Sequence, residues 1–168
     1  MGKQLPVLYV DVDGVLSLFD TPKAPPPIRP DTHFLGVGGV GHLIALDNCA
    51  RLLSLVDDFE LVWATGWEER ANDELLSVIG LSEPLDVVSF DTAKYDHQAH
   101  WKLGALDAHA GDRPLAWIDD ALDDACRKWA TSRSAPTLLV ETESNEGLTD
   151  AHAEQLANWA KQLKEQAA

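Results

Sequence analysis

Short runs of consecutive apolar residues alternate along this chain with longer stretches in which apolar residues return every three or four positions. Residues 6–10, 61–65, 85–90, 115–118 and 137–140 are runs of the first kind, and each reads as a buried β-strand. Apolar residues at 46, 49, 50, 52, 53, 55 and 56 trace one face of a helix, and 68–80 and about 101–110 give two more, closed by Gly80 and Gly111. A fourth helix is marked by Ala121, Leu122, Ala125, Cys126 and Trp129. A fifth starts at Asp150 and carries His152, Leu156, Trp159 and Leu163 on one face. Near-continuous apolar strands separated by helices predict βαβ units, and hence an α/β fold with a parallel sheet covered on both faces. Residues 20–45, rich in Pro and Gly, break this rhythm and read as an insertion.

The polar residues that interrupt the apolar runs fall at their ends. In YVDVDGVLSLF (9–19), Asp11 and Asp13 follow the first strand with only Val12 between them. Side chains two apart along an extended segment point the same way, so the two carboxylates share a face. Like charges that close disfavour each other's ionisation unless a proton or a cation sits between them. Thr65 ends the second strand, and Asp119, with Asp120 beside it, ends the fourth. In an open α/β sheet, ligands bind beyond the carboxyl ends of the strands, which is where these residues converge.

Composition narrows the picture. The 168 residues fit one domain, 1–168, with a core of its own; no apolar run approaches the ~20 residues that a membrane span needs. The first residues lack the apolar core of a secretory signal, and the sequence predicts a cytoplasmic protein. Two distant cysteines, Cys49 and Cys126, form no disulfide or zinc pattern. The net charge of −15, from 28 acidic and 13 basic residues, argues against a non-specific nucleic-acid binder, since its field repels polyanions.

Taken in order, the motifs resemble those of the haloacid dehalogenase (HAD) superfamily. LYVDVDGVL matches an apolar strand followed by DxDG; ELVWATGW matches a strand ending in Thr, at Thr65. HWKLGAL supplies a lysine near a helix start, at Lys102, and LAWIDD matches a strand ending in paired acids, at Asp119 and Asp120. The resemblance implies a Rossmann-like three-layer sandwich with a central parallel sheet, a small flap at 20–45 and no large cap domain. It also implies phosphomonoester hydrolysis through an aspartyl-phosphate, with Asp11 as nucleophile and Asp13 as acid and base. Thr65 and Lys102 would contact the phosphoryl group. Mg²⁺ would be held by Asp11, the Asp13 backbone carbonyl and Asp119, with Asp120 behind them. Within the superfamily, the runs LVWATGWEERAN, RPLAWIDD and GLTDAH are similar to the compact HAD domain of "Swiss Army Knife" RNA-repair proteins. That likeness implies a nucleotide or short oligonucleotide with a terminal phosphate as substrate. A phosphotransferase would share every motif, and a non-catalytic phosphate-sensing or partner-binding module would share the fold.

Several residues keep two readings. Thr65 can contact phosphate or cap the following helix, and Lys94 rivals Lys102. Asp120, Asp123 and Asp124 divide between support of the site and plain helix N-terminal acids. GVGGVG (36–41) contains GxGxxG, but the turn after the first strand, where that fingerprint binds dinucleotides, is already DVDGVL; a hairpin flap suits the glycines better. His33 and His42 flank those glycines within reach of a substrate, and Gly66 and Trp67 follow Thr65, with Trp67 lining the pocket or packing under it.

Overall fold

In the computed structural model, which describes residues 4–19 and 31–166, five parallel strands form the central sheet. They are β1 (Val7–Val10), β5 (Glu60–Trp63), β6 (Asp86–Val87), β7 (Leu115–Asp119) and β8 (Thr137–Glu141), in the spatial order β6-β5-β1-β7-β8. Three further strands, β2 (Ser17–Leu18), β3 (Thr32–Val37) and β4 (Val40–Ala45), form a small antiparallel sheet in the order β2-β4-β3.

Alternation along β1 sets up the layers. All four of its residues are fully buried. Leu8 and Val10 join a core with Cys49 and Leu52 of α1 (Leu46–Leu53), Leu75 of α2 (Glu69–Ile79) and Leu156 of α5 (Asp150–Gln166). Val7 and Tyr9 face the other way, toward Leu106 of α3 (Leu103–Ala110) and Cys126 of α4 (Asp124–Ser132). A strand apolar on both faces requires helices on both, and that is the three-layer Rossmann-like sandwich. Among the described residues there is no cap domain, and no helix is long and apolar enough to cross a membrane.

The chain order places the site. From β1 the chain moves outward through β5 to β6, then returns through α3 to β7 on the opposite side of β1. Loops leaving β1 and β7 therefore diverge, and a crevice opens between their carboxyl ends. Asp11 and Asp119 flank it.

Several boundaries differ from those predicted. The third strand covers Asp86–Val87 rather than 85–90: after Val88 donates to the Trp63 carbonyl at 2.9 Å, the edge strand leaves the sheet. The helix expected from Ala121 begins at Asp124, because Asp123 caps it by accepting from the Cys126 amide at 3.0 Å. Lys102 ends a 3-10 turn, Ala99–Lys102, that runs into α3. The glycine run forms the turn of the β3–β4 hairpin: Gly38 and Gly39 have φ of +58° and +82°, the two left-handed positions of a tight hairpin turn. The remainder of the predicted 20–45 insertion, residues 20–30, lies outside the described residues.

Candidate active site

Beyond the ends of β1 and β7 lies a cleft of about 160 Å³, with Asp11, Asp13, Gly66, Lys102, Asp119 and Asp120 in its lining. Lys102 is its buried hub. The ammonium donates to Asp119 Oδ2 at 2.7 Å and to the Ala64 carbonyl at 2.9 Å, and lies 3.3 Å from Asp11 Oδ2. Burial alone would push the Lys102 ammonium down, but the charges of Asp11 and Asp119 outweigh it and hold the group above its ordinary value. Lys94, the rival, is exposed and 3.9 Å from Asp91, so the structure gives the central position to Lys102.

The two acids that open the site occupy different environments. Asp11 is almost fully buried; its Oδ1 accepts from the Val12 amide at 2.8 Å, and burial raises its carboxyl well above the ordinary value against the pull of Lys102. Asp13, two residues on, lines the same cleft and is half exposed. Its Oδ2 accepts from the Trp67 indole N–H at 3.1 Å, and His42 Nδ1 stands 3.5 Å from Oδ1. Asp13 is also raised, chiefly by burial, with the Trp67 bond opposing. Gly14, at φ +73°, bends the chain away directly after this pair.

Asp119 is buried at the end of β7, and its Oδ1 accepts from the Ala121 amide at 2.9 Å. Asp120 turns back toward Gly14 and accepts from the Ser144 hydroxyl at 2.7 Å. One oxygen each from Asp11, Asp119 and Asp120 lie within 4.8 Å of one another. An all-oxygen set of three carboxylates suits a hard divalent cation such as Mg²⁺. Burial and mutual repulsion raise Asp11 and Asp120, the mark of a cluster that gains from added positive charge. The structure thus places the Asp120 carboxylate in the acidic group itself, while the Asp13 carboxylate turns aside.

Thr65 is fully buried, and its hydroxyl oxygen accepts from the Trp67 amide at 3.2 Å within the turn that precedes α2; it does not cap that helix, whose N-cap is Glu68 with no side-chain bond. Trp67 packs beneath the cleft, edge-on to His42 with ring centroids 4.6 Å apart. His42 is buried and shares a hydrogen bond with Ser17 at 3.0 Å. It reaches Asp13 from below, whereas His33 is exposed on β3 and stands apart from the cleft lining. The sequence reading missed the outer wall of the cleft, where Tyr95, His97, Gln98 and Trp101 stand. Their signal was the density of aromatic and polar residues in KYDHQAHW just before Lys102.

A parallel sheet carrying an Asp-x-Asp turn, a buried lysine and a strand-end acid pair around one crevice defines a HAD-type domain. The family model for the HAD domain in Swiss Army Knife RNA repair proteins matches residues 7–153, and the chain belongs to that family. Comparison with curated proteins gave no match.

Proposed function

We propose that this domain is a Mg²⁺-dependent phosphomonoester hydrolase acting through an aspartyl-phosphate at Asp11, on the terminal phosphate of a nucleotide or short oligonucleotide. One observation carries the reading: two carboxylates a residue apart are held by different partners. Asp11 sits by Lys102 and the acidic group, while Asp13 is turned to Trp67 and His42. Environments that separate two neighbouring acids separate their roles.

In the first step an Asp11 carboxylate oxygen bonds to phosphorus and the ester P–O bond breaks. Asp13 gives its proton to the departing oxygen. Burial raises the Asp13 carboxyl above its ordinary value, the direction that favours the protonated form a general acid needs. In the second step Asp13, now ionised, takes a proton from water as the water oxygen bonds to phosphorus, and the bond to Asp11 breaks. Lys102 supplies fixed positive charge beside Asp11 throughout, and Gly66 leaves room for the phosphoryl oxygens. Asp11, Asp119 and Asp120, with the Asp13 carbonyl, would hold the Mg²⁺. When bound, the ion keeps these carboxylates ionised and offsets phosphoryl charge. The free cysteines Cys49 and Cys126 fit a reducing, cytoplasmic setting.

The test is hydrolysis of a phosphoester panel with Mg²⁺ and with chelator. Turnover of nucleotide phosphomonoesters that needs Mg²⁺ is the expected result. Full activity in chelator would remove the metal from the proposal, and preference for sugar phosphates or phosphopeptides would remove the nucleotide.

A further inference from the structure

Past β6 the chain crosses the carboxyl end of the sheet as an exposed segment, residues 91–98, pinned at both ends. The Phe90 amide donates to Glu68 Oε1 at 3.1 Å, and the Ala99 amide donates to the Ala121 carbonyl at 2.8 Å. Between these points Asp91 caps a 3-10 turn, Thr92–Lys94, and Asp96 accepts from the Gln98 amide at 3.0 Å. Rings then lead outward from the core. Phe90 is buried and lies 5.0 Å from Trp101; Trp101 lies 5.5 Å from Tyr95, edge-on; Tyr95 lies 5.9 Å from His97. Tyr95 ends 64% exposed, on the same cleft that holds Asp11 and Lys102.

We infer that Tyr95, backed by Trp101, is a stacking platform for the base of the nucleotide whose phosphate reaches Asp11; this rests on the phosphatase reading above and specifies its substrate. A large aromatic side chain left in solvent at a cleft mouth, but fixed by neighbouring rings, presents a preorganised surface and loses little entropy on binding. Stacking also suits the charge of this molecule. The segment carries Asp91 and Asp96 against Lys94, and the chain as a whole is at −15, so a polyanionic backbone finds little to grip. A π-face is recognised regardless of that field. The Gln98 amide, on the same rim, offers both a donor and an acceptor. Base edges carry both, whereas the ring of a phosphotyrosine carries neither.

The test is calorimetric binding of adenosine monophosphate, ribose phosphate and phosphotyrosine in Mg²⁺, in an Asp11→Asn background so that ligand is not consumed. Tyr95 is compared with Tyr95→Ala and Tyr95→Trp, and hydrolysis of the same compounds is followed with Asp11 intact. Tyr95→Ala should weaken nucleotide binding about 5- to 150-fold, the range spanned by one base–aromatic stack. Ribose phosphate binding should not change, and Tyr95→Trp should restore the nucleotide. Equal losses for nucleotide and ribose phosphate, no loss at all, or tighter binding of phosphotyrosine than of nucleotide would overturn the platform. A Tyr95-dependent preference for the nucleotide without hydrolysis would uphold the platform and remove the phosphatase reading. Hydrolysis indifferent to Tyr95, with binding equally indifferent, would remove the platform alone.

Discussion

Asp120 shows at the scale of a residue how the site stores charge. Its carboxylate lies beside Asp11 and Asp119, accepts one bond from Ser144, and is raised chiefly by burial. A carboxyl whose folded pKa lies above its unfolded value, about 3.9 for Asp, binds more protons folded than unfolded. Its contribution to stability is therefore complete below that pH and is lost as pH rises through the folded value. Asp120→Asn removes this loss while keeping an oxygen for the Ser144 hydroxyl. In chelator the variant should melt higher than wild type at neutral pH, with the difference shrinking as pH falls toward the unfolded value, and it should gain less from Mg²⁺. Thermal melts across pH check this; a variant that melts lower at neutral pH in chelator would contradict it. Asp11 and Asp119 were legible in the sequence because each follows or ends a local apolar run, whereas Lys102 was singled out from Lys94 only by the family resemblance. The bonds from Trp67 to Asp13 and from Ser144 to Asp120 join residues 54 and 24 positions apart, which no local pattern encodes.

Among the elements, the turn after β1 is the most constrained. Gly14 donates its amide to the Ser17 carbonyl at 2.7 Å, and its carbonyl accepts from the buried Thr142 hydroxyl at 2.7 Å. Its φ is left-handed, and a Cβ there would overlap the Asp120 carboxylate. Gly14→Ala should cost about 1–2 kcal/mol from the left-handed backbone alone. Displacement of Asp120 adds to that, and Mg²⁺-induced stabilisation should shrink with it. Denaturant unfolding with and without Mg²⁺ measures both; wild-type stability in Gly14→Ala would show that the turn relaxes freely. The DG pair marked this turn in the sequence, and the GVGGVG hairpin was equally legible from its glycines. The early end of β6 was not, because VVSF keeps the apolar character of a strand while the edge position gives it only one neighbour. The Tyr95 segment could not be read as an element for the same reason that it is exposed: it has no period and joins no layer, and only its density of aromatic and polar residues marked it.

Across the whole molecule, two apolar faces on one sheet fix the layers, and the reversal of strand order beside β1 fixes where the crevice opens. The alternation of strands and helices made that architecture readable from the sequence. The −15 charge disfavours a long polyanion and agrees with the proposed substrate, a short ligand that would be held at its phosphate and its base, with salt easing the encounter by screening. The proposed hydrolysis turns on the bond that Asp11 would form to phosphorus. Rapid acid quench of the protein turning over a phosphate-radiolabelled nucleotide in Mg²⁺, followed by peptide mapping, tests this most directly. The expected result is an acid-stable, hydroxylamine-labile label on the peptide containing Asp11, absent from Asp11→Asn. Turnover with no label on that peptide under any quench time, or label retained in Asp11→Asn, would contradict it.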